Sequence, residues 1–99
     1  MAIDKIPVIA LEEHYLDPEV TRHFKQSGGE PPDPKLRERL ADLGDLRIRE
    51  MDEAGIDMQV LSHGAPATQR LDAESVVAVA RNANDKLHRA VGTHPDRFA

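Results

Sequence analysis

Two side chains with the chemistry of metal ligands lie two residues apart near the start of the chain. Glu12 and His14 follow the apolar run Val8–Leu11, which predicts a buried strand. Because side chains alternate between the two faces of a strand, Ala10, Glu12 and His14 are expected to point the same way. A carboxylate oxygen and an imidazole nitrogen suit zinc, manganese or iron better than calcium. The pair therefore predicts half of a divalent-metal site; the simpler interpretation is a solvent-exposed strand end.

The elements that would position this pair begin with a strand over Ile6–His14. Asp17 and Pro18 come next, with the capping residue and first-turn proline that are typical of a helix start. Gly28–Gly29 is expected to end this first helix. Prolines then dominate residues 30–34, which predicts a stiff loop beside the site.

Two more helices and a second strand are predicted in the middle of the chain. Asp33, which precedes a proline, starts a helix that runs to Gly44, and Asp45 is expected to cap the next helix. Gly55 supplies the C-terminal turn of that helix. The apolar run Met58–Ser62 follows this glycine, and we expect it to form a strand.

The last part of the chain predicts one long helix and the approach to a third strand. Asp72 is expected to cap the helix, and apolar residues at spacings of three and four continue to about Val91 before Gly92. The segment His94–Phe98 then leads towards a strand. Strands that alternate with helices are typical of a parallel α/β sheet or barrel, so the predicted fold class is α/β.

Composition limits the size of the domain and its partners. The 99 residues suit one small domain, whose core must be mostly aliphatic because there are two Phe, one Tyr and no Trp. The formal net charge of −5, with basic residues scattered among acidic ones, argues against a nucleic-acid partner. The lack of cysteine excludes disulfides and Cys nucleophiles and fits a reducing cytoplasm. No signal peptide or membrane span is expected.

Five short motifs follow one another along the chain: Ile9–His14 (IALEEH), Arg49–Asp57 (REMDEAGID), Val60–Ser62, Asn84–Asp85 and His94–Phe98 (HPDRF). In this order they resemble the amino-terminal part of the amidohydrolase-related decarboxylases, the family that contains γ-resorcylate and 2,3-dihydroxybenzoate decarboxylases. The resemblance covers nearly the whole chain. It implies the N-terminal portion of a metal-dependent (β/α)8 TIM barrel, with residues 1–99 as part of a single barrel domain, since such barrels need about 250 residues.

The resemblance also implies a reaction and a set of ligands. The family's strand-one Glu-x-His motif carries metal-ligand roles over to Glu12 and His14, with zinc or manganese as the metal. A later His and a late Asp complete the family's site, and neither has a matching position in this chain. The implied activity of the complete barrel is non-oxidative decarboxylation of a small hydroxylated aromatic carboxylic acid, by a homo-oligomer.

Two further residues are expected near the substrate, because barrels place site residues at the carboxyl ends of their strands. Ser62 and His63 end the second predicted strand, so both are expected to line the substrate site. His94 belongs to the HPDRF motif and is interpreted as structural. His23 and His88 lie among polar neighbours on helices and are interpreted as solvated.

Two alternatives to decarboxylation remain open from the sequence. The same barrel and metal could hydrolyse a lactone or an amide with metal-activated water. The 99 residues could instead be a non-catalytic fragment, or a subunit that needs a complementary chain, since the remaining metal ligands are missing. The sequence does not separate these three hypotheses.

Overall fold

A computed structural model describes residues 5–23 and 31–99. It is an α/β structure, in agreement with the predicted class. The elements, in chain order, are β1 (Ile9–Tyr15), α1 (Pro18–Arg22), α2 (Pro34–Ala41), α3 (Asp45–Ala54), β2 (Met58–His63) and α4 (Val76–Thr93). The predicted end of the first helix at Gly28–Gly29 lies outside the described residues. Within the described ranges, no helix is both long and apolar enough to cross a membrane.

The two strands pair in parallel, so their carboxyl ends meet at one edge of the sheet. Beside β2, Phe98 forms a parallel bridge to Gln59. The backbone N–H of Gln59 donates to the carbonyl of Arg97 at 2.8 Å, and the N–H of Leu61 donates to the carbonyl of Ala99 at 2.8 Å. The chain thus runs along β2 where the sequence predicts the approach to a third strand.

Two of the predicted helix starts are confirmed by their capping bonds. The Asp17 carboxylate accepts hydrogen bonds from the backbone N–H groups of Glu19 and Val20, at 3.1 and 3.2 Å. The Asp33 carboxylate accepts from the N–H of Lys35 at 2.9 Å. In both helices proline occupies the first turn, where its missing N–H leaves no bond unmade.

The predicted cap of α3 is wrong. Asp45 is already the first residue of the helix, and Gly44 is the N-cap without a side-chain bond. Asp42 caps instead, because α2 ends early at Ala41 and leaves the Asp42 carboxylate close enough to accept from the N–H groups of Gly44 and Arg47, at 2.8 and 3.1 Å. At the other end of α3, Gly55 adopts the predicted left-handed turn, with φ 75°.

The long final helix begins later than predicted. Asp72 accepts a hydrogen bond from the N–H of Ser75 at 2.8 Å, but it does so in a turn that precedes α4. Gly92 lies inside the helix, which ends at Thr93. The buried residues of α4 are Val79 and Ala83, which lie four residues apart on one face of the helix.

The apolar core consists of two neighbouring clusters. The first, formed by Leu16, Val20, Val79 and Ala83, joins α1 to α4. The second joins the sheet to α3 and consists of Tyr15, Met51, Leu61 and Phe98, with partly buried side chains of α3 and α4 around it. Each fully buried Val, Leu, Met or Phe side chain in these clusters stabilises the fold by about 1.5–3 kcal/mol. Tyr15 and Leu61, the strand residues of the second cluster, lie on one face of the sheet, and the helices cover that face.

The prediction of a buried first strand is wrong for the described structure. Ile6 and Leu11 are 84% and 69% exposed, and Val8 and Ile9 are also exposed. The strand itself begins at Ile9, three residues later than predicted. The physical reason is that β1 lies at an edge of the described sheet and no described element packs on the face opposite the helices.

Candidate metal centre

The candidate ligands lie where β1 and β2 end together. In the parallel ladder His14 is opposite Ser62, and Tyr15 is opposite His63. Three of the four residues singled out by the sequence are therefore neighbours at one edge of the sheet. Glu12 lies two residues before His14 on the same strand.

A β-bulge in β1 separates Glu12 from the regular part of the ladder. Ala10 pairs with Gln59 and Glu13 pairs with Leu61, so three steps along β1 match two steps along β2. Glu12 lies within this irregularity with φ 56°, in the left-handed region. For a residue other than glycine that conformation costs about 1–2 kcal/mol. Strained backbone of this kind clusters at functional sites.

The bulge shows that the predicted face of Ala10 is wrong. Regular alternation would place Ala10 and His14 on one face of β1, but the extra residue puts them on opposite faces. After the bulge, Glu13 and Tyr15 share the face of Leu61, which the helices cover, and Tyr15 is buried. His14 shares the other face with Ser62 and is exposed, as is Glu12. Both candidate ligands are accessible from solvent.

The ring of His14 is held by a cross-strand contact. Its Nδ1 lies 2.9 Å from Oγ of Ser62. This contact occupies one ring nitrogen and leaves Nε2 as the nitrogen with which His14 could bind a metal ion. Neutral imidazole and carboxylate are ligands that zinc and manganese accept, so the Glu12 and His14 side chains fit two positions of such a site.

Two ligands do not complete a metal site. Among residues 5–23 and 31–99, no group of three or more histidine, aspartate or glutamate side chains is arranged to hold a metal ion. Structural zinc is held by four ligands and catalytic zinc by three ligands and a water molecule. Glu12 and His14 therefore need further ligands to bind a metal tightly.

His63 has both ring nitrogens engaged by backbone groups. Its Nε2 accepts a hydrogen bond from the N–H of Asp17 at 2.9 Å, so Nδ1 carries the proton and donates to the carbonyl of Gly64 at 2.8 Å. Its ring also contacts Tyr15 edge-on, with 5.1 Å between ring centroids. These contacts connect the end of β2 to the start of α1. Because both ring nitrogens are engaged, only the carbon atoms at the edge of the His63 ring could contact a ligand.

The Tyr15 phenol and the Asp17 carboxylate are buried on the helix side of the strand ends. Burial raises the pKa of the Tyr15 phenol above its usual value, and the nearby Asp17 carboxylate acts in the same direction. Asp17 is itself buried and forms a salt bridge with Lys86 of α4, with 3.1 Å between Oδ1 and Nζ. A neutral Tyr15 and a paired Asp17 therefore support the strand ends from the helix side.

Arg47 of α3 is a central buried residue that the sequence analysis missed. It is only 8% exposed. Its Nε donates to the carbonyl of Asp42 at 2.6 Å, its Nη1 donates to Oε1 of Gln59 at 3.1 Å, and its Nη2 donates to the carbonyl of His14 at 3.4 Å. Two further carbonyls, of Arg39 and Leu40, lie 3.3 and 3.4 Å from Nη2. One guanidinium thus connects α2, α3 and both strands, including the backbone of a candidate ligand.

Burial lowers the pKa of the Arg47 guanidinium, while the neighbouring carboxylates, chiefly that of Asp42, act in the opposite direction. In the sequence, Arg47 lies between the apolar residues Leu46 and Ile48, in an alternation of charged and apolar residues that also includes Asp45 and Arg49. Arg47 is distinguished from its exposed neighbour Arg49 by contacts with other elements, namely the carbonyl groups at the early end of α2 and the groups of both strands.

No family model matches the sequence, but individual proteins do. The chain is 45% identical over 94 residues to γ-resorcylate decarboxylase from Polaromonas sp. JS666. This similarity covers 91% of the chain and 28% of that enzyme. The chain thus spans between a quarter and a third of the length of this curated relative.

Solved structures give the same result. The structure of 5-carboxyvanillate decarboxylase from Sphingomonas paucimobilis is 33% identical, with a TM-score of 0.83 over 96% of this chain and 33% of that one. The dihydroxybenzoic acid decarboxylase from Polaromonas sp. JS666, solved with bound manganese and the inhibitor 2-nitroresorcinol, is 41% identical. Its TM-score is 0.77, over 95% of this chain and 29% of that one. The resemblance to amidohydrolase-related decarboxylases is confirmed.

Proposed function

We propose that this relative of the γ-resorcylate and carboxyvanillate decarboxylases supplies part of the active site of a divalent-metal-dependent decarboxylase acting on hydroxylated aromatic acids. The observation that carries the proposal is the 45% identity to γ-resorcylate decarboxylase across nine-tenths of the chain. The exposed Glu12 and His14 at the end of β1 are its chemical support. In decarboxylation the bond between the ring and the carboxyl carbon breaks, carbon dioxide leaves and a proton takes its place on the ring.

Glu12 and His14 would hold the metal, His14 through Nε2. When bound, a divalent metal supplies a positive charge that can orient the substrate's carboxylate and phenolic oxygens. Manganese is favoured over zinc by the manganese-containing relative, whose ligand is also a hydroxylated ring. Residues 1–99 would then form the N-terminal portion of a single (β/α)8 barrel domain, and the remaining ligands would come from other parts of that barrel.

Ser62 and His63 would lie beside the substrate at the end of β2. The hydrogen bonds of His63 to backbone groups suit a wall of the site, since neither ring nitrogen is available as a metal ligand. A cytoplasmic homo-oligomer completes the proposal. The cytoplasmic location is supported by the cysteine-free sequence, which is compatible with a reducing compartment. The homo-oligomer is tested by light scattering on the purified protein.

The proposal is tested with the purified complete barrel, since the described residues of this chain hold no group of three or more metal ligands. The assay uses 2,6-dihydroxybenzoate or 5-carboxyvanillate with added Mn²⁺ or Zn²⁺. We expect metal-dependent release of carbon dioxide with an equal amount of the decarboxylated phenol. Glu12→Gln and His14→Gln should each reduce bound metal and lower kcat/KM at least about 100-fold, because several kcal/mol of charge stabilisation is lost.

Glu53→Gln and His88→Gln are matched controls, since both side chains are exposed on helices. They should leave metal content and kcat/KM unchanged. Full activity without metal, or in either ligand variant, would contradict the proposal. Ring opening of lactones without carbon dioxide release would favour the hydrolase alternative instead.

A further inference from the structure

The contact between His14 and Ser62 joins two strands at one level of the sheet. The two residues are opposite each other in the parallel ladder, on the face that the helices do not cover. Nδ1 of the imidazole and Oγ of the hydroxyl are 2.9 Å apart. This is a normal hydrogen-bond length, so one of the two groups donates a proton to the other.

The direction of that bond decides whether His14 can bind a metal. A neutral imidazole has one N–H group and one nitrogen lone pair. If Nδ1 donates to Oγ, the lone pair is on Nε2 and faces away from Ser62, free for a metal ion. If the hydroxyl donates to Nδ1, the proton is on Nε2 and neither nitrogen can coordinate. Histidine ligands commonly donate their second ring N–H to an oxygen, which fixes the tautomer and the ring orientation.

The backbone holds Ser62 in place for this role. On one side of β2, the N–H of Leu61 donates to Ala99; on the other side, the N–H of Gly64 donates to Tyr15 at 2.9 Å. Because Leu61 precedes Ser62 and Gly64 follows it closely, these hydrogen bonds restrict movement of the Ser62 backbone. The carbonyl of His14 is in turn bound by Arg47. Both partners of the contact thus have supported backbones.

We propose that Ser62 is a positioning residue, whose hydroxyl accepts the Nδ1 proton of His14 and so presents Nε2 to a divalent metal ion. The inference rests on the proposed function, and it assigns Ser62 a role in ligand orientation where the sequence predicts substrate contact. The Ser62 hydroxyl contacts the ring of His14 from the neighbouring strand, so it can orient this ring without contact with the substrate.

The tautomer of His14 tests the inference directly, in the absence of metal. Histidine rings labelled with ¹⁵N give different nitrogen shifts and couplings for the two tautomers, and His14→Gln identifies the His14 signals. The wild-type protein and Ser62→Thr, which keeps a hydroxyl, should show the Nδ1–H form. Ser62→Ala should show a mixture of the two forms. A wild-type ring in the Nε2–H form would overturn the inference, whatever the variants do.

Affinity for Mn²⁺ alone gives the second readout. Ser62→Ala should weaken binding about 10–100-fold, as is typical when the partner of a metal ligand is removed. Ser62→Thr should restore it, and Ser75→Ala, the same change before α4, should have no effect. Unchanged affinity in Ser62→Ala would overturn the inference while leaving the proposed function intact. Unchanged affinity in His14→Gln would instead overturn the proposed function on which the inference rests.

Discussion

Replacement of Arg47 should destabilise the fold more than replacement of Arg49, the other arginine of α3. Its shortest bonds join Nε to the carbonyl of Asp42 at 2.6 Å and Nη1 to Oε1 of Gln59 at 3.1 Å. A hydrogen bond to a charged group contributes about 1.5–3 kcal/mol, so these two together contribute about 3–6 kcal/mol. Release of the guanidinium from burial offsets part of this sum. We therefore expect Arg47→Ala to cost about 3–5 kcal/mol, because hydrogen bonds to a charged group are lost and their buried acceptors are left without this partner.

That loss is a large part of the 5–15 kcal/mol by which a domain is typically stable. The assay is urea unfolding of the purified protein, followed by far-UV circular dichroism, with the midpoint and slope compared between variants. Arg47→Lys should give an intermediate loss, because an ammonium keeps the charge but cannot reproduce the planar fork of donors.

The matched control is Arg49→Ala, two residues along the same helix and exposed. Surface changes of this kind usually alter stability by less than about 0.5 kcal/mol. A cost of less than about 1 kcal/mol for Arg47→Ala, or an equal loss of stability in the two alanine variants, would refute this role of Arg47.

Two further predictions concern a glycine and a pH effect. Gly64→Ala should cost about 1–3 kcal/mol by overpacking, since its Cβ would lie 3.0 Å from Cδ2 of Leu16; Gly92→Ala, with nothing within 4 Å, should be neutral or stabilising. Equal urea midpoints for these two variants would contradict this. A hydrogen bond from the backbone N–H of Val8 lowers the pKa of the exposed Asp57 carboxyl. The stability that the ionised carboxylate contributes is present above the unfolded-state pKa, and it is lost as pH falls through the lower folded-state pKa. Asp57→Asn should therefore lose less stability between pH 7 and pH 3 than the wild type; equal losses would exclude this contribution.

The sequence predicted those features that depend on local chemistry. Asp17 and Asp33 cap helices because their carboxylates reach N–H groups two or three residues away, with no help from distant parts of the chain. Gly55 ends α3 because it alone tolerates the left-handed turn without strain. The second strand was predicted because an apolar run follows this break.

The features that it missed depend on contacts distant in sequence. Arg47 binds the carbonyl of His14, 33 residues away, and nothing in the spacing of α3 signals this. The bulge in β1 is visible only against the register of β2, so alternation counted along one strand assigned the wrong face to Ala10. The pairing of His14 with Ser62 likewise needs both strands, 48 residues apart.

The left-handed backbone of Glu12 places stability and chemistry in opposition at one position. Glycine would adopt φ 56° without the cost that a side chain brings, so selection for stability alone would favour glycine there. A glutamate kept in that conformation would be retained for its carboxylate, at the expense of the fold. Sequences drifting under relaxed demand for activity would then lose this side chain early, and those that gained glycine at this position would become more stable.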